Sequence, residues 1–361
     1  MSPTRRGRAV LTTLVVILVL GGGVAAAALI GSRGARSAAS ENQGSTPGSS
    51  ATSPAKPAPP SKCPLSGLAP TSGTVPVRPA LAVKVENLPA ARPQTGLSWA
   101  DIVYEEPVEG GITRFIAIYQ CQDASRIEPV RSARLTDADV LRQFGHPLFG
   151  YSGAVPGVRQ AAAAAGVIDV DSTVARAASA YHRDPNRPQP HNLYSSTSEL
   201  YAAGVGLYQA VAPNPVFTYS KRAPAGATKV SEVHLPFSSW AADVYWRWDA
   251  SKKAWLRFHG TVPHTLSDGT QVSAKDVVVQ VVKLRLTNVK DANGVTSPEA
   301  ITVGSGRAYV FRNGKVITGT WKRNGPSDLT KYYDDQGKEI PLTPGQAWVE
   351  LFPDTLTVSY S

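Results

Sequence analysis

The sequence predicts an α+β protein, with an N-terminal mixed α/β domain over residues 63–211 and a mostly antiparallel β C-terminal domain over residues 212–361. Three observations carry that reading. In the first half, apolar strand-like runs alternate with short helical stretches. In the second half, hairpin signals recur with few helical ones. Throughout, 31 glycines and 29 prolines in 361 residues favour turns and strands over long helical bundles.

Residues 81–86 (LAVKVE) and 102–105 read as strands, and 112–121 (ITRFIAIYQC) as a longer one set off by Gly110-Gly111. Thr136 and Asp139 match a capping signal, so 137–144 reads as a helix stopped by Gly145. Residues 148–153 suggest a buried strand. Residues 156–165 suggest a helix opened by Pro156 and closed by Gly166. Short helices are expected over 173–180 and 198–203. Beyond residue 212, stretches 244–248 and 255–259 flank a turn at Asp249. Residues 277–287 (VVVQVVKLRLT) have the β-branched density of a buried strand. Residues 308–312 and 315–320 bracket Asn313-Gly314, a strong short hairpin signal. Stretches 332–340 and 346–352 supply further strands.

The N-terminus places this body in its compartment. Residues 9–30 contain neither charge nor proline and would span roughly 33 Å as a helix. Arg5, Arg6 and Arg8 precede them in a basic tail, 1–8, that stays cytoplasmic. The segment reads as a single-pass anchor with the body extracytoplasmic, or as a cleaved signal that leaves the body secreted. Residues 31–62 form a low-complexity tether rich in Ala, Ser, Gly and Pro, expected to be disordered. The formal charge of +10 is concentrated here: residues 1–62 hold seven basic residues and one acidic, leaving +4 for the rest. A nucleic-acid partner, which needs a basic folded surface, is thereby excluded. In an exported protein the only two cysteines, Cys63 and Cys121, read as a disulfide.

No zinc-protease, paired C-x-x-C, nucleophile-elbow or phosphate-loop signature occurs, and neither a metal nor another cofactor is expected. What stands out is a concentration of polar residues in the first half. It includes Glu86-Asn87, Arg92-Pro93-Gln94, Glu105, Glu109, Arg131, Arg134, Arg183-Asp184, Arg187 and His191-Asn192. Several fall at strand ends, where open sheets present ligand crevices. Arg131 and Arg134 could converge on one phosphate or carboxylate, or pair with Glu105 and Glu109 in a structural ion network. Both readings stand at this level. Glu105 and His191 are the candidates for acid/base chemistry.

Several of these segments resemble the YerB-like lipoprotein family, domain of unknown function 3048. They are VKVENLPAARPQTGLSWADIVYE at 83–105, EGGITRF at 109–115, PVRSAR at 129–134, Arg183-Asp184 and PHNLY at 190–194. Pro263-His264 with Asp268, Gly304-Ser305-Gly306 and Gly319-Thr320-Trp321 match its C-terminal part. The resemblance implies an exported, membrane-tethered protein of α/β and then β-rich architecture, and brings no established reaction. Two departures matter. No cysteine precedes Cys63 to carry a lipid, so a helical anchor takes its place. The family's histidine-and-glycine stretch before the helix at Pro156 stands here as Tyr151-Ser152-Gly153.

The resulting expectation is a membrane-anchored cell-envelope protein binding an anionic ligand, such as a cell-wall polymer or anionic glycan. Arg131, Arg134 and Arg183 would grip it, with Glu86, Asn87, Asp184, His191 and Asn192 beside them. The alternatives are a hydrolase or transferase on such polymers, and a protein-interaction scaffold.

Overall fold

The apolar runs near the start of the body become strands β1 (Leu81–Glu86), β2 (Ile102–Pro107) and β3 (Thr113–Tyr119), with every residue of β1 and β3 buried. Between β2 and β3, Gly110 and Gly111 take φ of 71° and 72°, a left-handed turn that side chains disfavour. Helix α1 (Leu135–Leu141) is capped when Asp137 Oδ2 accepts the Arg134 backbone N–H at 2.6 Å. Strand β4 (Leu148–Gly150), helix α2 (Pro156–Ala164) and strand β5 (Ile168–Asp169) form a parallel strand–helix–strand unit. A small ribbon, β6 (His182–Arg183) with β7 (Leu193–Tyr194), leads to α3 (Thr197–Ala203). This computed structural model describes residues 61–361 apart from 225, 239, 292 and 293. The segment 9–30, the basic tail and nearly all of the tether lie outside the described residues. Among the described residues no helix is long and apolar enough to cross a membrane.

The second half is strand after strand. It opens with β8 (Thr228–Lys229), β9 (Glu232–Ser238), β10 (Ala242–Asp249), β11 (Ala254–His259), β12 (Val262–Pro263) and β13 (Ser273–Ala274). Then come β14 (Asp276–Val282), β15 (Leu284–Lys290) and β16 (Thr296–Ala300). Strands β17 (Gly304–Arg312) and β18 (Lys315–Arg323) meet in a hairpin at Asn313-Gly314, both at positive φ, as the dipeptide predicts. Strands β19 (Lys331–Asp334), β20 (Ala347–Pro353) and β21 (Ser359–Tyr360) complete the chain.

Eleven of these strands form one mixed sheet, in the order β19-β18-β17-β14-β20-β2-β3-β1-β4-β5, with β8 pairing to β18. Strand β2 lies parallel to β20, Ile102 opposite Ala347, so strands from both sides of residue 212 share the sheet. Six strands form a second, antiparallel sheet, β12-β11-β10-β9-β21 with β13 on β11. One face of the large sheet, through Val83, Phe115 and Trp348, packs on Val244, Trp246 and Trp255 of the second. The other face, through Ile116, Phe149 and Val349, packs on Val140 and Leu141 of α1 and Val158 of α2.

The C-terminal half is mostly antiparallel as expected, with β14 and β20 running parallel, but the N-terminal half is mostly sheet with little helix rather than a clear mixed α/β domain. Its three α-helices are 7, 9 and 7 residues long. Residues 173–180 yield only a 3-10 turn at Ala178–Ala180. There the Asp171 carboxylate accepts Thr173 Oγ1 and Arg159 Nη2, each at 2.5 Å, tying the segment down by side chains. The run 277–287 divides at Lys283: β14 enters the large sheet, whereas β15 pairs only with β16.

Cys63 and Cys121 form a disulfide, Cα–Cα 5.9 Å, that ties the start of the body to the end of β3 across 58 positions. It packs with Val75 and Ala212. The double substitution Cys63→Ala, Cys121→Ala is expected to lower stability by about 2–4 kcal/mol. Urea denaturation should show this as a lower midpoint, and an unchanged midpoint would refute it.

Candidate functional site

Three segments of the first half and one residue of the second enclose a cleft of about 530 Å³, a size suited to a small ligand. They are the 87–95 turn after β1, the extended stretch 126–128, the 184–188 loop between β6 and β7, and Ser267. Arg126 gives Nε to Glu128 Oε2 at 3.0 Å and Nη2 to Asp184 Oδ2 at 2.5 Å, its guanidinium 3.8 Å from the Tyr194 ring centroid. Arg187 donates to the main-chain oxygens of Ala91 (2.6 Å) and Pro93 (3.0 Å), which seats its loop on the 87–95 turn. Arg92 donates to Asn87 O at 2.9 Å and Ala241 O at 2.5 Å. Burial, and next the charge of Arg257, pull Arg92 down to about 9.

Each arginine keeps one guanidinium nitrogen without a partner among the described residues: Nη1 of Arg92 and of Arg126, and Nε of Arg187. Against these three cations stand Glu128 and Asp184, leaving one net positive charge. On the exposed side, Thr95 Oγ1 and Ser267 Oγ are 2.8 Å apart. A larger groove of about 950 Å³, lined by Phe144, Ile168, Leu207, Tyr208 and Leu329, carries Arg142 as its only formally charged side chain and gathers no such group.

Behind the cleft, each face of the large sheet buries an ionic cluster. Facing the second sheet, Glu105 Oε2 accepts Arg257 Nη2 at 2.7 Å, with both side chains fully buried. Arg257 Nη1 also donates to His264 Nδ1 (2.7 Å) and His259 Nε2 (2.9 Å). His264 Nε2 then donates to Gln94 Oε1 at 2.8 Å. Burial, reinforced by Arg257, holds both imidazoles well below the usual histidine range, so both are neutral acceptors. Glu350 lies opposite Glu105 across β20 and β2, and its Oε1 accepts Trp246 Nε1 at 2.8 Å. Burial first, and the Glu105 charge second, push Glu350 well up, so it keeps its proton. On the opposite face, Lys84 Nζ bonds Glu106, and Asp137 Oδ1 at 2.6 Å. Burial and the neighbouring Asp137 raise Glu106 to about 7.

The residues expected to form one anion grip are divided among these groups. Arg134 gives Nε and Nη2 to Glu109, at 2.5 and 2.7 Å, and Nη1 to Ala133 O at 2.8 Å, so it does not converge with Arg131, and the structural ion network accounts for it. Arg131 stands 3.0 Å from Glu86 Oε1 with its side chain 24% exposed. Glu86 Oε2 holds His191 Nδ1 at 2.8 Å. Asn87 is buried between Glu105 and Thr113, and Glu105 has no exposure through which to act as an acid or base. Arg183 is exposed and donates to Asn192 Oδ1 at 2.8 Å, while Asn192 Nδ2 donates to Asp184 O at 3.1 Å. Of the expected ligand residues, Asp184 alone lines the cleft; Arg92 and Arg187 join it from the wider polar set. Arg126, Glu128, Thr95 and Ser267 were not foreseen. A signal was available in Arg126-x-Glu128, where alternation in an extended segment puts opposite charges on one face.

Residues 65–207 match the family described as protein of unknown function (DUF3048) N-terminal domain, and residues 233–349 match its C-terminal domain. Most of the cleft falls in the first match and Ser267 in the second. The chain is 31% identical over 306 residues to the protein named "Putative lipoprotein YerB" of Bacillus subtilis (strain 168), covering 83% of this chain and 88% of that one. It is similar to the crystal structure of the YerB protein from Bacillus subtilis with TM-score 0.71 and 27% identity, covering 83% of this chain and 99% of that one. Matched in both domains and along most of a curated relative, the chain belongs to the DUF3048 family.

Proposed function

We propose that this is an extracytoplasmic cell-envelope protein, held at the membrane through residues 9–30, that binds an anionic envelope ligand in the arginine-lined cleft. Its placement outside the cytoplasm is supported by the lipoprotein relative, by the apolar segment behind three arginines, and by the disulfide. Cys63, the first cysteine of the chain, is engaged in that disulfide, so attachment falls to the 9–30 segment rather than to a lipid on Cys63. One observation carries the binding reading: three arginines converge on one cleft, each with an unengaged N–H, around one net positive charge.

The test is a thermal-shift and titration panel of inorganic phosphate, phosphorylated sugars, muropeptides and teichoic-acid fragments. A bound anion should raise the melting temperature by mass action. Arg126→Ala should weaken it about tenfold or more, the worth of a lost charge-assisted bond. No shift with any anion, or unchanged affinity in the variant, would defeat the reading. The enzyme alternative draws on His191, fixed at Nδ1 by the buried Glu86. Conversion of a panel member that His191→Ala abolishes while still binding would favour it.

A further inference from the structure

We propose that the ligand of this cleft is a hydroxyl-bearing phosphate ester, a polyol or sugar phosphate, whose hydroxyl donates to Glu128 while its phosphate lies on the arginines. The inference rests on the anion-binding reading above and narrows it. Glu128 lines the cleft yet is only 2% exposed. Its Oε2 accepts from Arg126 at 3.0 Å and stands 3.5 Å from Arg187 Nη1. Its Oε1 is buried and has no hydrogen-bond partner among the described residues. Buried carboxylate oxygens are almost always satisfied, and a ligand that satisfies one gains affinity.

The chemistry of the surroundings selects the donor. A phosphate oxygen cannot serve, because it accepts hydrogen bonds and would repel the carboxylate. An ammonium group would serve Glu128 but would sit against Arg126 and Arg187. A hydroxyl donates without adding charge, and the Thr95–Ser267 hydroxyl pair offers a second hydroxyl a partner in the same cleft. A phosphate on Arg92 Nη1, Arg126 Nη1 and Arg187 Nε, joined by a short carbon chain to such a hydroxyl, uses all of these groups.

The test compares glycerol 3-phosphate with methyl phosphate, which carries the phosphate ester without the hydroxyls, by calorimetric titration of the full chain in detergent. Glycerol 3-phosphate should bind about tenfold tighter or more. Glu128→Ala should shrink the preference to about twofold or less while methyl phosphate binds as well as before or better, a carboxylate having been removed. Equal wild-type affinities would overturn this proposal and leave the anion reading standing. Failure of both esters and of inorganic phosphate would overturn the anion reading itself. The wild-type comparison needs no variant, so it decides even if Glu128→Ala does not fold. Competition against bound glycerol 3-phosphate then separates two sources of one chemistry. Displacement by soluble poly(glycerol phosphate) supports a wall polymer, displacement by phosphatidylglycerol vesicles supports a lipid headgroup, and displacement by neither overturns the proposed class.

Discussion

Replacing Arg257 by alanine is expected to lower the free energy of unfolding by about 3–5 kcal/mol, the cost of breaking a buried ion pair from one side. The change leaves the fully buried Glu105 carboxyl without its ion-pair partner, beside the protonated Glu350. It also strips His259 and His264 of the donor that both accept. Because Glu105 stands in the large sheet and Arg257 in the second, the loss falls on the contact between the two layers. Urea unfolding of the purified variant measures it. The paired change Glu105→Gln, Arg257→Met should recover part of the loss, since no charge then remains buried. A single variant as stable as the wild type would show that water reaches Glu105.

Lys84→Met is expected to cost a similar amount, about 3–5 kcal/mol, and that cost is expected to depend on pH. Lys84 is the cation between Glu106 and Asp137. Even with Lys84 present, burial and Asp137 lift Glu106 from 4.5 to about 7. A carboxyl raised in the folded state binds more protons there than when unfolded. Its contribution is therefore full below about pH 4.5 and is lost as pH rises through about 7. Without the lysine two carboxylates face each other, so the folded protein must hold the proton harder. The deficit of Lys84→Met should thus be smaller at pH 5 than at pH 8. Equal deficits at both would mean that Glu106 is ionised throughout.

The strands were legible because their signals are local. The run 81–86 announces β1 by composition, and Asn313-Gly314 announces its hairpin by the φ values that the turn requires. The division of 277–287 was not legible, since β-branched density marks a strand but not the sheet that it joins. The cleft divides in the same way. Arg92, Asp184 and Arg187 stood out as polar residues in ordered surroundings. Whether an arginine is free or engaged depends on partners far along the chain: Glu109 lies 25 residues before Arg134, and Asp184 lies 58 after Arg126. Lys84 sits in an apolar run where nothing local reveals that Glu106 and Asp137 will enclose it.

The parallel contact between β2 and β20 has a consequence for how the protein is made. Ile102 and Ala347 are neighbours across the middle of the sheet, yet the ribosome produces them 245 residues apart. Until the last strand but one has been synthesised, β2 presents a bare edge, and β14 waits for its parallel neighbour as well. Such long-range closure makes assembly slow and leaves a sticky intermediate in the meantime. A premature stop ahead of residue 347 would therefore not trim a tail; it would leave the two halves of the sheet without the strand that joins them.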